Sequence, residues 1–157
     1  MNHYCLGFMF GPYLGFGLPS QERYNKVALI RKNKPEFQVG KLNGIGGKVE
    51  PEDATPFDAM VRKFKEETGV VMKIEEWYRF ATMLFPEEII VDCFCAVREE
   101  FPKITTMTDE KVVDAYTHLL LSDPEGYNPM KNLLWLIPMA IGHLRWRTPH
   151  LTIIGAV

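Results

Sequence analysis

The stretch NGIGGKVEPEDATPFDAMVRKFKEETGV, residues 43–70, decides how the chain is read. Thr55 suits an N-cap, Pro56 the first helical position where a missing N–H costs nothing, and Asp58 the positive end of a helix. Phe57, Met60, Val61, Phe64 and Thr68 then recur at helical spacing and fall on one side, and Gly69 offers the left-handed residue that ends helices. The pattern predicts a helix from about 56 to 68. Its opposite side gathers Arg62, Lys63, Glu66 and Glu67, two adjacent carboxylates beside two cations, with Ala59 as a gap.

A charged helical face is ordinarily a solvated one. The loop upstream argues for more. Gly44, Gly46 and Gly47 let the backbone adopt positive φ and approach a ligand closely, and successive N–H groups in such a turn can form an anion-binding nest, with Lys48 as an adjacent cation. A glycine turn followed at short range by a capped helix with a Glu pair suggests polyphosphate with a divalent metal. The carboxylates would hold the ion and the ion the phosphate oxygens.

The stretch resembles the signature box of the Nudix hydrolases: a glycine, five residues, a Glu, seven residues, then Arg-Glu-aliphatic-any-Glu-Glu-any-Gly-aliphatic. Gly47, Arg62, Glu66, Glu67, Gly69 and Val70 match, with Phe64 at the aliphatic position. The resemblance implies an α+β fold, the Nudix α/β/α sandwich around a mixed β-sheet, over nearly the whole chain, and dependence on Mg²⁺, or Mn²⁺ in its place. It also implies that Glu66, Glu67 and the Gly47 carbonyl ligate metal, while Arg62 orients the acidic face through its planar fork.

Two departures stand out. The spacing from Gly47 to Arg62 is one residue longer than the pattern, so either Glu52 or Asp53 fills the place of the loop Glu. The Glu expected after Arg62 is Lys63, which replaces a carboxylate by an ammonium four residues before Glu67, where the two can pair. A site with fewer or weaker metal ions and reduced activity is the expectation.

Composition sets ordinary bounds. A chain of 157 residues, 46% hydrophobic and 24% charged, suits a single domain with a sizeable core. Its net charge of −2 argues against binding polymeric nucleic acid and leaves a small-molecule nucleotide as the partner. Cys5, Cys93 and Cys95 read as core thiols of a reducing compartment, and His3, His118, His143 and His150 have no metal-ligand spacing. The apolar amino-terminal run lacks a basic leader and is broken by Gly11, Pro12, Gly15, Gly17 and Pro19. The run Leu133 to Ile141 is too short to span a bilayer. A cytoplasmic protein without membrane contact is expected.

In chain order, residues 3–10 and 26–32 read as strands, the second a nearly continuous apolar run, with a glycine-rich connection between them. Asn43 is either a turn residue or an amide that reads a nucleobase edge. Val70 to Ile74, Trp77 to Leu84 and Ile89 to Val97 read as strands, and Asp92 as a satisfied, half-buried polar group. Residues 111–121 fit strand or helix, 123–126 a turn, and Met139 to Arg145 a short helix after Pro138. Residues 150–157 fit an edge strand or an oligomer contact, so a homodimer is allowed for.

The phrase Leu-Asn-Gly-Ile-Gly-Gly-Lys-Val is similar to the Nudix subgroup that hydrolyses oxidised purine nucleoside triphosphates. That resemblance implies base reading by Asn43, a metal-directed carboxylate from Glu110, and stacking by Trp135, for which core packing is the other reading. Where the subgroup has paired aspartates before the Trp, this chain has Lys131 and Asn132. The expected function is Mg²⁺-dependent cleavage of a nucleoside diphosphate linked to a group X, foremost a nucleoside or deoxynucleoside triphosphate, to monophosphate and pyrophosphate. ADP-ribose and dinucleoside polyphosphates are rival substrates, and a nucleotide-binding module without turnover, supported by Lys63, is the rival class.

Overall fold

In the computed structural model, which describes residues 1–12 and 23–155, the first strand lies at the centre of the sheet. β1 (Asn2–Gly11) sends Leu6, Phe8 and Phe10 to one face and Cys5 and Met9 to the other, so the period-2 geometry of a strand feeds two separate cores. β6 (Ile89–Val97) runs parallel to it along nearly its whole length and repeats the division, with Cys93 and Cys95 opposite Phe94 and Ala96.

β2 (Lys26–Arg31) joins the other edge of β1 only at Phe10 and Gly11. Where the two diverge, β3 (Leu42–Asn43) pairs with β2 and β4 (Ile45–Lys48) pairs with β1, so the glycine stretch is wedged between them. β7 (Lys111–Tyr116) covers the far edge of β2. β5 (Tyr78–Phe85) lies antiparallel to β6, and β8 (Leu151–Ile154) adds a parallel edge strand to β5, one of the two readings of the carboxy-terminal residues. The sheet is mixed, as expected.

α1 (Pro56–Thr68) covers one face through Ala59, Met60 and Phe64, packed with Met9, Ile45, Trp77 and Phe94. Gly7 permits this approach: a Cβ there would lie 2.5 Å from the Met60 sulfur. After two short helices, α2 (Thr117–Ser122) and α3 (Pro124–Tyr127), α4 (Leu133–Trp146) covers the opposite face with Leu133, Leu136, Ile137, Ala140 and Leu144. The result is an α+β fold, a mixed sheet between helical layers.

Several local expectations change. Residues 70–74 form no strand: Val70 and Met72 alternate inward but no strand lies beside them, and a 3₁₀ turn follows at Ile74–Glu76. Residues 111–121 are strand and then helix, which is why one period fitted neither. The turn at 123–126 winds into α3. The last helix starts at Leu133 rather than after Pro138. Pro138 forfeits the bond to the Leu134 carbonyl, and the apolar burial around it offsets the loss. The glycine-rich connection with Gly15, Gly17 and Pro19 lies outside the described residues. Among the described residues no helix is long and apolar enough to cross a membrane.

Candidate active site

Strand pairing fixes the glycine stretch. A Cβ on Gly46 would fall on the Cys5 carbonyl oxygen, so only glycine keeps the β1–β4 register there. Gly47, on the face toward α1, has the Lys63 side chain against it: a Cβ there would be 2.8 Å from Lys63 Cε and 3.4 Å from Nζ.

The start of α1 is locked as its composition predicts. The Asp58 N–H donates to Thr55 Oγ1 at 3.3 Å, and the Thr55 N–H donates to Asp58 Oδ2 at 2.9 Å, a reciprocal capping box. Gly69 closes the helix at φ 74°.

Of the two candidates for the loop carboxylate, Asp53 is the one that engages the helix. Arg62 Nε donates to Asp53 Oδ1 at 2.9 Å and Nη2 to Oδ2 at 2.6 Å, a bidentate pair, and the Glu50 N–H donates to Oδ2 at 2.8 Å. The hydrogen bonds from Arg62 hold the Asp53 carboxyl below the usual carboxylate range and push the guanidinium up. Glu52 is exposed. Arg62 also reaches Glu66 Oε1 at 3.0 Å and the Lys48 carbonyl at 3.2 Å, and so ties loop, strand and helix together.

Lys63 departs from expectation. Its ammonium pairs with Glu66 Oε2 at 3.0 Å, one turn on, rather than with Glu67, because the side chain leans across Gly47. Burial pushes the Glu66 carboxyl up, but Lys63 and Arg62 outweigh it and hold the group below its ordinary value.

Glu67 is in the opposite situation. Its Oε2 is buried without a hydrogen-bond partner, and burial raises its pKa. Lys32 counters that shift while Glu110 adds to it. Glu110 is only 5% exposed and fully satisfied: Lys32 Nζ donates to Oε1 at 2.8 Å and the Asn33 N–H to Oε2 at 2.7 Å. The fold thus brings Glu110 to the acidic face of α1 from a strand start far along the chain. Lys32 stands just past the end of β2, and nothing in the sequence pairs it with Glu110.

The remaining candidates are dispersed. Lys48 is exposed. Asn43 lies in β3 rather than in a turn, and its side chain accepts the Gly44 N–H at 2.9 Å and donates to Gln38 at 3.3 Å. Trp135 is 41% exposed, so core packing does not describe it. The segment before α4 lies along β3, with the Leu42 N–H donating to the Asn128 carbonyl and the Met130 N–H to that of Leu42. There the Asn132 Oδ1 is buried without a partner. Asp92 is buried rather than half-buried, satisfied by Thr82 and His3, each at 2.7 Å.

The donor set suits a divalent cation in kind: hard carboxylate oxygens from Glu66, Glu67 and Glu110, the Gly47 carbonyl, and one buried carboxylate oxygen left unpaired. Among the described residues no three such side chains converge into a ready cation cage, and Lys32 and Lys63 pair with two of the carboxylates.

A family model described as NUDIX domain matches residues 16–133, and the chain belongs to that family. Its fold is similar to solved structures across the family, although no curated protein matches its sequence. One is a MutT described for Aliivibrio salmonicida and Vibrio cholerae, at TM-score 0.64 and 18% identity, covering 90% of this chain and 98% of that one. Another is the NUDIX domain of Shewanella oneidensis NrtR complexed with ADP ribose, at TM-score 0.60 and 18% identity, covering 90% and 87%. A third is a MutT/nudix family protein from Enterococcus faecalis, at TM-score 0.60 and 21% identity over 73% of this chain; the match spans only 43% of that one. Family and fold together support a pyrophosphohydrolase, an enzyme acting on acid anhydrides.

Proposed function

We propose that the protein is a Mg²⁺-dependent hydrolase of nucleoside diphosphates linked to a group X, foremost nucleoside or deoxynucleoside triphosphates, which it cleaves to monophosphate and pyrophosphate. The observation that carries the reading is the unpaired, buried Glu67 Oε2 beside Glu110 and Lys32, on the helix face that follows the glycine stretch.

In this reading Glu66, Glu67, Glu110 and the Gly47 carbonyl would hold the ion. A bound divalent ion supplies neutralisation of phosphate charge and lowers the pKa of an attacking water. The chain's own groups do the rest. Arg62 fixes the angle of Glu66 through a guanidinium anchored on Asp53, and Lys32 donates to Glu110 at 2.8 Å and holds that buried carboxylate in place. Lys48 stands at the exposed rim to meet phosphate, and Trp135 offers a partly exposed ring for a base. The NrtR domain complexed with ADP ribose supports a nucleotide ligand of this general size.

The test is a panel of nucleoside triphosphates, ADP-ribose and dinucleoside polyphosphates, incubated with Mg²⁺, Mn²⁺ or chelator, with phosphate products followed. Chelator-sensitive turnover with triphosphates preferred supports the reading. The ion pairing of Glu66 by two cations favours the rival, a nucleotide-binding module. Ligand-induced thermal stabilisation without turnover would establish it.

A further inference from the structure

The acidic face of α1 is divided by its cations. Both oxygens of Glu66 are engaged, Oε1 by Arg62 and Oε2 by Lys63, each at 3.0 Å. The Lys63 side chain lies over Gly47, where a Cβ would collide with its ε-carbon and touch the ammonium at 3.4 Å, and it is only 23% exposed. A positive charge therefore already stands between Glu66 and the glycine stretch. Glu67 and Glu110 make the other half, which keeps the unpaired carboxylate oxygen.

We propose that the Lys63 ammonium is a resident cation of the site: it fills the half built by Glu66 and Gly47, displaces one divalent ion from it, and donates directly to a phosphate oxygen of the substrate. This rests on the hydrolase reading and narrows its ligand set: with the ammonium in the Glu66 and Gly47 half, Glu67 and Glu110 are left to hold the remaining ion. A divalent ion entering beside Lys63 would have to compete for Glu66 against a tethered ammonium and a guanidinium, and would be repelled by both. A polyphosphate is repelled by the neighbouring carboxylates but attracted by the ammonium. It gains a fixed N–H donor whose position is set by the helix and by contact with Gly47.

Two measurements that do not depend on turnover test the proposal. Mn²⁺ binding, counted by electron paramagnetic resonance and calorimetry, is expected to give one ion in the wild type and one more in Lys63→Glu. Equal, non-zero numbers at equal affinity would overturn the resident-cation inference and leave the hydrolase reading standing; no Mn²⁺ binding in either would overturn both. Lys63→Met adds no carboxylate and preserves the aliphatic contact with Gly47. With chelator present, inorganic pyrophosphate is expected to bind this variant about tenfold more weakly than the wild type, the scale of one hydrogen bond to a charged group. Unchanged pyrophosphate affinity would show that Lys63 does not contact phosphate and would overturn the proposal.

Discussion

Arg62 grips both oxygens of Asp53, at 2.9 Å and 2.6 Å, while its third arm holds Glu66 at 3.0 Å. The extended loop therefore presents its carboxylate through Asp53. Asp53→Asn should cost about 1–3 kcal/mol, since the half-buried guanidinium loses its charged acceptor. Glu52→Gln, at an exposed position, should fall within about 0.5 kcal/mol of the wild type. Urea unfolding of both variants checks the assignment.

The same pair sets part of the acid limb of stability. The folded Asp53 pKa lies below its ordinary value, so below the unfolded value near 3.9 the unfolded chain binds the proton more readily. The stabilisation is complete above the unfolded pKa and is lost as pH falls through the folded one. Unfolding free energies measured from pH 6 downward should fall less steeply in Asp53→Asn than in the wild type. Parallel curves would count against the pair.

Adjacent glycines should respond differently to one added methyl group. At Gly46 the methyl meets the backbone carbonyl of Cys5, which cannot move without breaking the strand pair. At Gly47 it meets the flexible end of Lys63. Gly46→Ala should lower Tm sharply or prevent soluble expression, whereas Gly47→Ala should fold with the lysine displaced. Thermal melts compare them directly.

Lys32 and Glu110 form a largely buried pair. Lys32→Met leaves a buried carboxylate with only the Asn33 N–H and should destabilise by about 3–5 kcal/mol. Adding Glu110→Gln should recover part of that loss. A double-mutant cycle on denaturation reads the coupling. Additive costs would mean the pair does not act as a unit.

All three thiols are buried, and burial pushes Cys5 to about 11 and Cys95 to about 12 and raises Cys93 too. Native protein at neutral pH should therefore react with a disulfide reagent only on opening, and stoichiometrically once unfolded. Rapid labelling of the native state would contradict the buried placement.

The capped helix, most of its buried stripe and its charged face are legible from residues 55–69 because local propensity and tertiary packing agree there, but Ala59, read on the charged side, is fully buried against the sheet. Segment 70–74 alternates inward as a strand does, but it has no strand to pair with, and alternation says nothing of a neighbour. The final helix runs through Pro138 because the apolar residues on both sides of it are buried. In the site, helical spacing puts Glu66 and Glu67 on one face and the family resemblance implies Glu110, but neither gives their partners. The leaning of Lys63 onto Glu66 depends on a backbone contact with Gly47, and the Lys32–Glu110 pair joins residues 78 positions apart. The first follows from where the β1–β4 pairing places Gly47 and the second from how β2 and β7 pair, neither of which a local pattern encodes.

The most direct test of the account compares wild type and Glu67→Gln with a nucleoside triphosphate and Mg²⁺, with products followed by phosphorus NMR. The account predicts that the wild type yields monophosphate and pyrophosphate, that chelator abolishes both, and that Glu67→Gln loses about 10²–10³-fold, the scale of removing one electrostatic stabiliser at the reacting centre. Equal rates in the two proteins, or no turnover in a wild type that still binds the nucleotide, would contradict it.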